Sequence, residues 1–196
     1  VYPEESISVD GPDFGCFNSA YHTLPRLLEE LAGQRRFGDV PGLIYKENGL
    51  VRMTPSGPEP KFNDYPNPAR HLLPNDLYAE FTTEKKNFTV MVTSKGCPNE
   101  CLFCEAGHTA YNPRSPETVL SEVRECYARY NIREIDFFDY DFCVDRKRIE
   151  AICDGLIKSH LDVTWACRTR VDYVDEALLR EMKKAGCSRI YFGIES

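Results

Sequence analysis

Apolar and polar positions alternate with regular periods from residue 88 onward. Between apolar runs, apolar residues recur every three or four positions, as on one face of a helix. The apolar runs read as four short strands: FTVMVTS (88–94), EIDFFDY (134–140), DVTWACR (162–168) and RIYFGI (189–194). The order strand–helix–strand–helix–strand–helix–strand predicts an α/β fold over residues 88–196, with a parallel sheet and right-handed crossovers.

Residues that begin and end helices support the same three helices. Ser115 and Pro116 open the first, because a serine side chain caps free backbone N–H groups and proline suits the first turn. Asp145 is placed to cap the second helix, and the third covers residues 175–184. Gly186 follows as a C-terminal stop. All three crossovers are therefore predicted to be helical.

The first 87 residues have a different texture, because glycine and proline interrupt any period. One helix is predicted at Leu24–Ala32, where leucines recur at helical spacing. A hairpin follows, with strands at Leu43–Tyr45 and Leu50–Val51. Six prolines in residues 54–78 indicate an extended linker that lies on a neighbouring surface. We treat residues 1–87 as a separate N-terminal segment that ends in this linker.

Composition narrows the function classes. The chain has 42% apolar and 28% charged residues and no apolar stretch near the about 20 residues of a membrane span. A net charge of -7 disfavours broad electrostatic binding of nucleic acid. Nine cysteines, an odd number, favour the reducing cytoplasm over a secreted disulfide scaffold. Because the chain begins with Val1 and ends on a strand, we expect it to be part of a longer protein.

Polar and sulfur-bearing side chains follow each of the four strands. The carboxyl ends of parallel strands meet at one edge of a sheet, which is where α/β folds bind ligands. In chain order these residues are Cys97, Cys101 and Cys104, then Asp139 and Asp141, then Arg168 and Arg170, then Glu195 and Ser196. Their convergence predicts a catalytic or binding site at this edge.

The cysteine spacing C-x3-C-x2-C bears on the kind of metal site. Structural zinc sites close with four protein ligands, and His108 offers a fourth. A cubane iron–sulfur cluster held by three cysteines leaves one iron open to a small molecule, and the spacing favours this reading. Three buried thiols are the remaining alternative, but Gly96 and Pro98 indicate an exposed turning loop. The later cysteines fall on apolar faces and are expected in the core: Cys126, Cys143, Cys153, Cys167 and Cys187.

The segment CPNECLFC, from Cys97 to Cys104, resembles the signature of radical S-adenosylmethionine (SAM) enzymes, including the aromatic residue before the third cysteine. Flanking segments extend the resemblance: TSKGCP, RSPETVLSEV, DFFDYDF and GIES. Upstream, NPARHLLPNDLY is similar to the linker of the cobalamin-binding branch of that superfamily. The resemblance covers residues 40–196.

The resemblance implies a partial (β/α) barrel of radical SAM type, with four of the family's about six strand–helix units present. Cys97, Cys101 and Cys104 would each ligate one iron of a [4Fe-4S] cluster, and SAM would chelate the fourth iron. One electron, from a flavodoxin- or ferredoxin-type donor, would cleave SAM to a 5′-deoxyadenosyl radical. The radical would serve oxidoreductase or methyl-transfer chemistry on an unknown substrate.

Several residues take roles beside the adenosine of SAM only through the resemblance. Phe103 would lie near the adenine. Gly193 and Ile194 would let the adenosine approach the fourth strand. Glu195 and Ser196 would lie near its polar groups.

Two pairs of charged residues are implied at the amino-acid end of SAM. Asp139 or Asp141 would accept the ammonium group, and a solvated loop carboxylate is the alternative for each. Arg168 or Arg170 would hold the carboxylate through a bidentate fork, and both share one face of the third strand. A surface ion pair is the alternative for each arginine.

The sequence departs from the family at several points. The second strand lacks the common Gly-Gly-Glu. No Asp-x-His-x-x-Gly motif occurs, and residues 8–31 lack the usual Gly-Glu-Gly-Glu, so cobalamin is implied only by the neighbouring segments. A methylthiotransferase-like enzyme carries three further cluster cysteines, but only Cys16 precedes the signature, which makes that alternative weaker. A zinc-stabilised, non-catalytic binding module is the alternative from another class.

Overall fold

The structure, a computed structural model, describes residues 5, 7, 11–17, 20–58, 60–107 and 109–194. The chain divides into two compact units, Val1–Pro60 and Lys61–Ser196. This division falls earlier than the boundary at residue 87 that the sequence predicts. The reason is that the stretch after Pro60 packs within the second unit, where the backbone N–H of Phe62 donates to Asn112 Oδ1 at 3.0 Å.

The first unit is a small antiparallel sheet with one described helix. Its elements are β1 (Phe14–Cys16), α1 (Ala20–Ala32), β2 (Leu43–Glu47) and β3 (Leu50–Met53), with strand order β1-β2-β3. The predicted hairpin is confirmed, because Glu47 pairs with Leu50. Asn48 and Gly49 between them have φ values of 53° and 77°, as a two-residue turn of type I′ requires.

Helix α1 begins before the predicted Leu24 and buries a narrower face than its leucines indicate. Leu27 is buried and packs with residues of the small sheet and its connections. Leu24, Leu28 and Leu31 are exposed. Helical spacing therefore identified the helix correctly but overstated the width of its buried stripe.

The second unit contains the parallel sheet that the sequence predicts. Its strands are β4 (Phe88–Met91), β5 (Ser94–Lys95), β6 (Asn112–Pro113), β7 (Glu134–Phe137), β8 (Thr164–Arg170) and β9 (Cys187–Gly193). Its α-helices are α2 (Pro116–Tyr130), α3 (Arg146–Ser159) and α4 (Glu176–Lys184). β4, β7, β8 and β9 lie side by side in that order, and each neighbouring pair is parallel. The predicted α/β class is confirmed.

The caps predicted at Ser115 and Asp145 are confirmed, and Asp175, predicted as the first residue of the third helix, is its cap. Ser115, Asp145 and Asp175 each accept a hydrogen bond from the backbone N–H three residues later. Gly186 has φ 97°, and an added Cβ there would lie 2.6 Å from the Val163 carbonyl oxygen. Among the described residues, no helix has both the length and the apolar character needed to cross a membrane.

One face of the sheet packs against the helices, and the opposite face carries charged pairs. Phe137 and Trp165 point toward the helices and are fully buried. Side chains alternate along a strand, so Asp136 and Arg168 point the other way, where they form an ion pair. The cysteines expected in the core are buried, which confirms that prediction: Cys126, Cys143, Cys153, Cys167 and Cys187.

A buried ionic cluster joins the proline-rich stretch to α2. Arg70 Nη1 lies 2.5 Å from Glu122 Oε1, and Arg114 pairs with the other oxygen of the same carboxylate. All three side chains are buried, so each charge depends on its partner for compensation. Arg70 also donates to the Val90 carbonyl of β4 at 3.2 Å. We call Arg70, Arg114 and Glu122 the Glu122 cluster; it holds the linker against β4 and α2.

Candidate functional site

The three cysteines of the signature stand on one loop between β5 and β6, which pair antiparallel and clamp its two ends. Gly96 starts the loop at φ 72°, and an added Cβ would lie 2.1 Å from the Ala110 carbonyl oxygen. Only glycine fits at that position. The backbone N–H of Cys97 donates to Thr109 Oγ1 at 3.0 Å, which ties the first cysteine to the returning chain.

Within the loop the backbone winds around Gly107. The N–H of Cys104 donates to the carbonyl of Cys101, and the N–H of Gly107 donates to the carbonyl of Cys104, both at 3.1 Å. A Cβ on Gly107 would meet three carbonyl oxygens, those of Cys104, Asn99 and Cys101, at 3.1 to 3.3 Å. The loop is therefore a tight coil in which a side chain at position 107 would crowd three backbone oxygens. Cys97 is buried, and Cys101 and Cys104 are half-buried.

The arrangement of the thiols bears on the metal they suit. In the part of the chain that the structure describes, no group of three or more His, Cys, Asp or Glu side chains is arranged to hold a metal ion. A cubane makes a different demand from a single ion, because each cysteine binds its own iron at a separate corner. Three sulfur donors on one glycine-shaped coil fit that donor set. His108, the alternative zinc ligand, lies outside the described residues.

Asp139 is built into the base of the loop. It is 1% exposed and accepts hydrogen bonds from the Thr93 backbone N–H at 2.6 Å and the Ser94 hydroxyl at 2.8 Å. The Thr93 hydroxyl donates to it as well. Burial raises the pKa of Asp139, although the hydrogen bonds from Thr93 oppose that rise. Since Thr93 and Ser94 closely precede Gly96, Asp139 fixes where the loop starts.

Arg148 of α3 reinforces this base from the helix side. Its Nη2 donates to the Thr93 carbonyl at 2.9 Å and its Nε donates to the Arg114 carbonyl at 2.8 Å. The side chain is buried, so these bonds are shielded from solvent. Arg148 thereby joins the chain entering the loop to the chain leaving it.

Asn99 links the cysteine loop to the carboxyl ends of β7 and β8. Its Nδ2 lies 3.4 Å from Cys97 Sγ and 3.3 Å from Asp141 Oδ2, and its Oδ1 accepts from the Tyr173 hydroxyl at 2.7 Å. Asp141 is 3% exposed, and its other oxygen accepts from Thr169 Oγ1 at 2.8 Å. Burial raises the pKa of Asp141. The structure thus brings the first cysteine and the second predicted carboxylate together through a residue that sequence reasoning missed.

The two arginines of β8 have different surroundings. Arg168 forms a bidentate pair with Asp136, with N–O distances of 2.7 and 3.0 Å. Arg170 pairs with Asp172, and its Nη1 lies 3.7 Å from Cys101 Sγ. Of the two, Arg170 is the one that contacts the cysteine loop.

The remaining candidates lie around the loop and at the end of β9. Phe103 is exposed on the coil, beside the third cysteine in sequence. Gly193 ends β9, and Ile194 after it is exposed. Glu195 and Ser196 lie outside the described residues. Their roles toward SAM stay predictions.

Sequence reasoning missed Asn99, Tyr173 and Asp136. Asn99 lies inside the cysteine spacing, where an amide that both donates and accepts was a usable signal. Asp136 interrupts an otherwise apolar strand, which indicates a buried partner. Tyr173 carries no local signal, because its hydroxyl meets Asn99 only through the tertiary fold.

Comparison with known proteins bears on the family. The family model of the Radical SAM superfamily matches residues 91–196, which is more than half of the chain. The matched segment contains the cysteine loop and all three helices of the second unit.

Two relatives and one solved structure extend the comparison. A protein of Pyrococcus horikoshii named an uncharacterized methyltransferase is 35% identical, over 89% of this chain and 38% of its own. An anaerobic magnesium-protoporphyrin IX monomethyl ester cyclase of Rubrivivax gelatinosus is 28% identical, over 80% of this chain and 29% of its own. The apo structure of the cobalamin-dependent S-adenosylmethionine radical enzyme OxsB superposes with a TM-score of 0.76 at 23% identity, covering 100% of this chain and 30% of that one. That likeness shows the fold, and the chain spans less than half the length of each of these proteins.

Proposed function

This chain belongs to the radical SAM superfamily, and we propose that it holds a [4Fe-4S] cluster through Cys97, Cys101 and Cys104 and binds SAM beside it. The chemistry that such a bound cluster supplies is one-electron cleavage of SAM to methionine and a 5′-deoxyadenosyl radical. The observation that carries the proposal is the contact of two side-chain N–H donors with the loop sulfurs. Asn99 reaches Cys97, and Arg170 reaches Cys101, both at the carboxyl edge of the parallel sheet.

Hydrogen-bond donors and positive charge lie near the cysteine sulfurs at this edge of the sheet, where they stabilise negative charge. Thiolates gain from N–H donors and from nearby positive charge, which lower the cost of holding several anionic sulfurs close together. Arg170 supplies a guanidinium at 3.7 Å from Cys101 Sγ, and Asn99 supplies an amide N–H at 3.4 Å from Cys97 Sγ. The coil around Gly107 keeps the three cysteines on one short segment.

For the amino-acid end of SAM we favour Arg170 and Asp141. Both arginines pair with an aspartate, but Arg170 and its partner Asp172 are 43% and 56% exposed beside the loop, whereas the Arg168 partner, Asp136, is buried under the pair. Asp141 borders the loop through Asn99, whereas Asp139 is sealed under it. Arg170 would then pair with the SAM carboxylate and Asp141 would accept its ammonium group.

For the adenosine we propose the open side of the loop and the end of β9. Phe103 offers an exposed ring for the adenine, and Gly193 and Ile194 leave the strand end unobstructed. Glu195 and Ser196 are the polar candidates that follow them. An exposed aromatic ring and a strand end without a side chain are each features that suit a flat, partly apolar base.

We propose methyl-transfer or oxidoreductase chemistry of the cobalamin-associated branch for the whole enzyme. The names of the relatives, a methyltransferase and a cyclase, support such chemistry, and the cobalamin dependence of OxsB supports cobalamin as a further cofactor. A flavodoxin- or ferredoxin-type protein would supply the electron. The resemblance of NPARHLLPNDLY to the linker of that branch is the support within this chain.

Metal analysis after anaerobic reconstitution with iron and sulfide tests this proposal. We expect about four irons per chain, and 5′-deoxyadenosine after addition of SAM and dithionite. Cys16→Ala should keep the iron, because Cys16 is an exposed cysteine of the first unit and lies outside the signature. About one zinc per chain without iron would favour the zinc-stabilised binding module and overturn the proposal. Iron without 5′-deoxyadenosine would overturn the SAM role for this chain.

A further inference from the structure

We propose that Asn99 is a positioning residue that sets the reduction potential of the cluster. It would do so by donating a hydrogen bond to the Cys97 thiolate from an amide held at the carboxyl ends of β7 and β8. The inference rests on the proposed function, because it concerns the same cysteines. It adds a residue that binds neither iron nor SAM in that proposal.

Three contacts hold the Asn99 side chain, and together they use both ends of its amide. Nδ2 faces Cys97 Sγ at 3.4 Å and Asp141 Oδ2 at 3.3 Å. Oδ1 accepts from the Tyr173 hydroxyl at 2.7 Å. The reversed orientation would set the amide oxygen against a carboxylate and a sulfur, both of which are acceptors. The orientation that donates to sulfur is therefore the favoured one.

The partners of Asn99 are themselves anchored in the protein. The Tyr173 ring packs against the main hydrophobic core, so its hydroxyl has a fixed position. Asp141 is tied by Thr169 Oγ1 at 2.8 Å and by the Cys143 backbone N–H at 3.3 Å. Because both anchors belong to the sheet and the turns that follow it, they hold the Asn99 side chain, and with it this part of the loop, at the sheet edge. Asn99 thereby fixes the Cys97 thiolate relative to the sheet.

A hydrogen bond to a cluster thiolate favours the reduced state over the oxidised state. Reduction adds negative charge that spreads onto the sulfurs, and an N–H donor stabilises that added charge. Loss of the donor should therefore move the reduction potential to a more negative value. Arg170 acts on Cys101 in the same direction, but its side chain is more open to solvent and its charge is more strongly screened.

Two substitutions distinguish the loss of the Asn99 hydrogen bond to sulfur from a general disturbance of the fold. Asn99→Ala removes all three contacts. Tyr173→Phe removes one hydroxyl, keeps the packed ring, and leaves the amide free to turn away from the sulfur. Tyr130→Phe is the matched control, because this tyrosine also packs partly buried against the core but lies at the end of α2.

The test is a potentiometric titration of the reconstituted holoprotein, followed by electron paramagnetic resonance, with iron content measured on each sample. We expect Tyr130→Phe to have the same reduction potential as the unsubstituted chain. Tyr173→Phe should titrate at a more negative potential, and Asn99→Ala at a still more negative one. If Asn99→Ala fails to retain iron, Tyr173→Phe alone decides the matter.

Two results would overturn the inference, and they are distinguishable. A loaded, unsubstituted chain whose Tyr173→Phe and Asn99→Ala variants share its potential overturns the role of Asn99 and leaves the proposed function standing. An unsubstituted chain that takes up no iron overturns the proposed function, and the role of Asn99 falls with it.

Discussion

The cysteine loop is held at its base and at its rim by two polar networks that differ in burial. At the base, Asp139 and Arg148 are buried and bond to the chain that enters the loop. At the rim, Asn99 and Tyr173 are half-buried, and Arg170 is open to solvent on one side. Buried polar groups are costly to disturb, whereas partly exposed groups exchange partners easily. The base therefore fixes where the loop stands, and the rim is where its chemistry can be adjusted.

The largest effect on stability is expected at the Glu122 cluster. Glu122→Ala leaves Arg70 and Arg114 buried without a counter-charge, which should cost about 3–5 kcal/mol of unfolding free energy. Chemical denaturation measures it. Glu176→Ala breaks an exposed pair with Arg180 and is the control, with little expected change. Equal unfolding midpoints for the two variants would contradict the role assigned to the cluster.

The next effect is expected where the loop leaves the base. Gly96→Ala places a Cβ 2.1 Å from the Ala110 carbonyl oxygen at a positive φ, so the backbone must shift, at a cost of about 2–3 kcal/mol, and iron uptake should fall. Gly49→Ala is the matched control, because Gly49 also has a positive φ but has nothing within 4 Å of its added Cβ. Its cost should be about 1 kcal/mol, with iron uptake unchanged. The result that speaks against this account is equal iron uptake in the two variants.

Asp139 at the base and Asp141 beside Asn99 are both buried, but they differ in how many of their hydrogen bonds an amide would keep. Asp139→Asn disturbs an acceptor that takes three hydrogen bonds at the buried base, and should cost about 2 kcal/mol. Asp141→Asn should cost about 1 kcal/mol, because the remaining amide oxygen still accepts from Thr169 and from the Cys143 backbone N–H, and only the 3.3 Å bond from Asn99 is lost. Urea unfolding of both variants measures the difference. A larger loss for Asp141→Asn would reverse the comparison.

A smaller effect concerns how Asp139, at the base of the cysteine loop, makes the unfolding free energy depend on pH. Burial raises the folded-state pKa of Asp139 above the about 3.9 of an unfolded aspartate. As pH rises, the Asp139 carboxyl therefore ionises at a higher pH in the folded chain than in the unfolded chain. Its protonated form contributes stability that is fully present below pH about 3.9, and this contribution is lost as pH rises through the folded-state pKa. The difference in unfolding free energy between the unsubstituted chain and Asp139→Asn should shrink over that interval. Unfolding curves at a series of pH values would contradict this if the difference widened.

Much of the fold follows from local sequence signals. Ser115 and Asp145 cap their helices as predicted, because capping depends on residues only a few positions apart. The four parallel strands follow from short apolar runs separated by helices. The position of the cysteines after β4, the first strand of the parallel sheet, could be predicted from this order alone.

What the sequence could not separate depends on contacts between distant residues. Asp139 and Asp141 look equivalent in the chain, yet the first bonds to Thr93 and Ser94 and the second to Thr169 and Asn99. The hold on the linker likewise depends on distant contacts, because Arg70 is fixed by a buried charge on α2 rather than by any apolar period.

The central claim is that three cysteines hold a cluster whose remaining iron is open to SAM. The most direct test compares electron paramagnetic resonance spectra of the reduced, reconstituted chain before and after addition of SAM. We predict that SAM changes the spectrum, because it would bind to the iron that carries no cysteine. Identical spectra with and without SAM would contradict the claim.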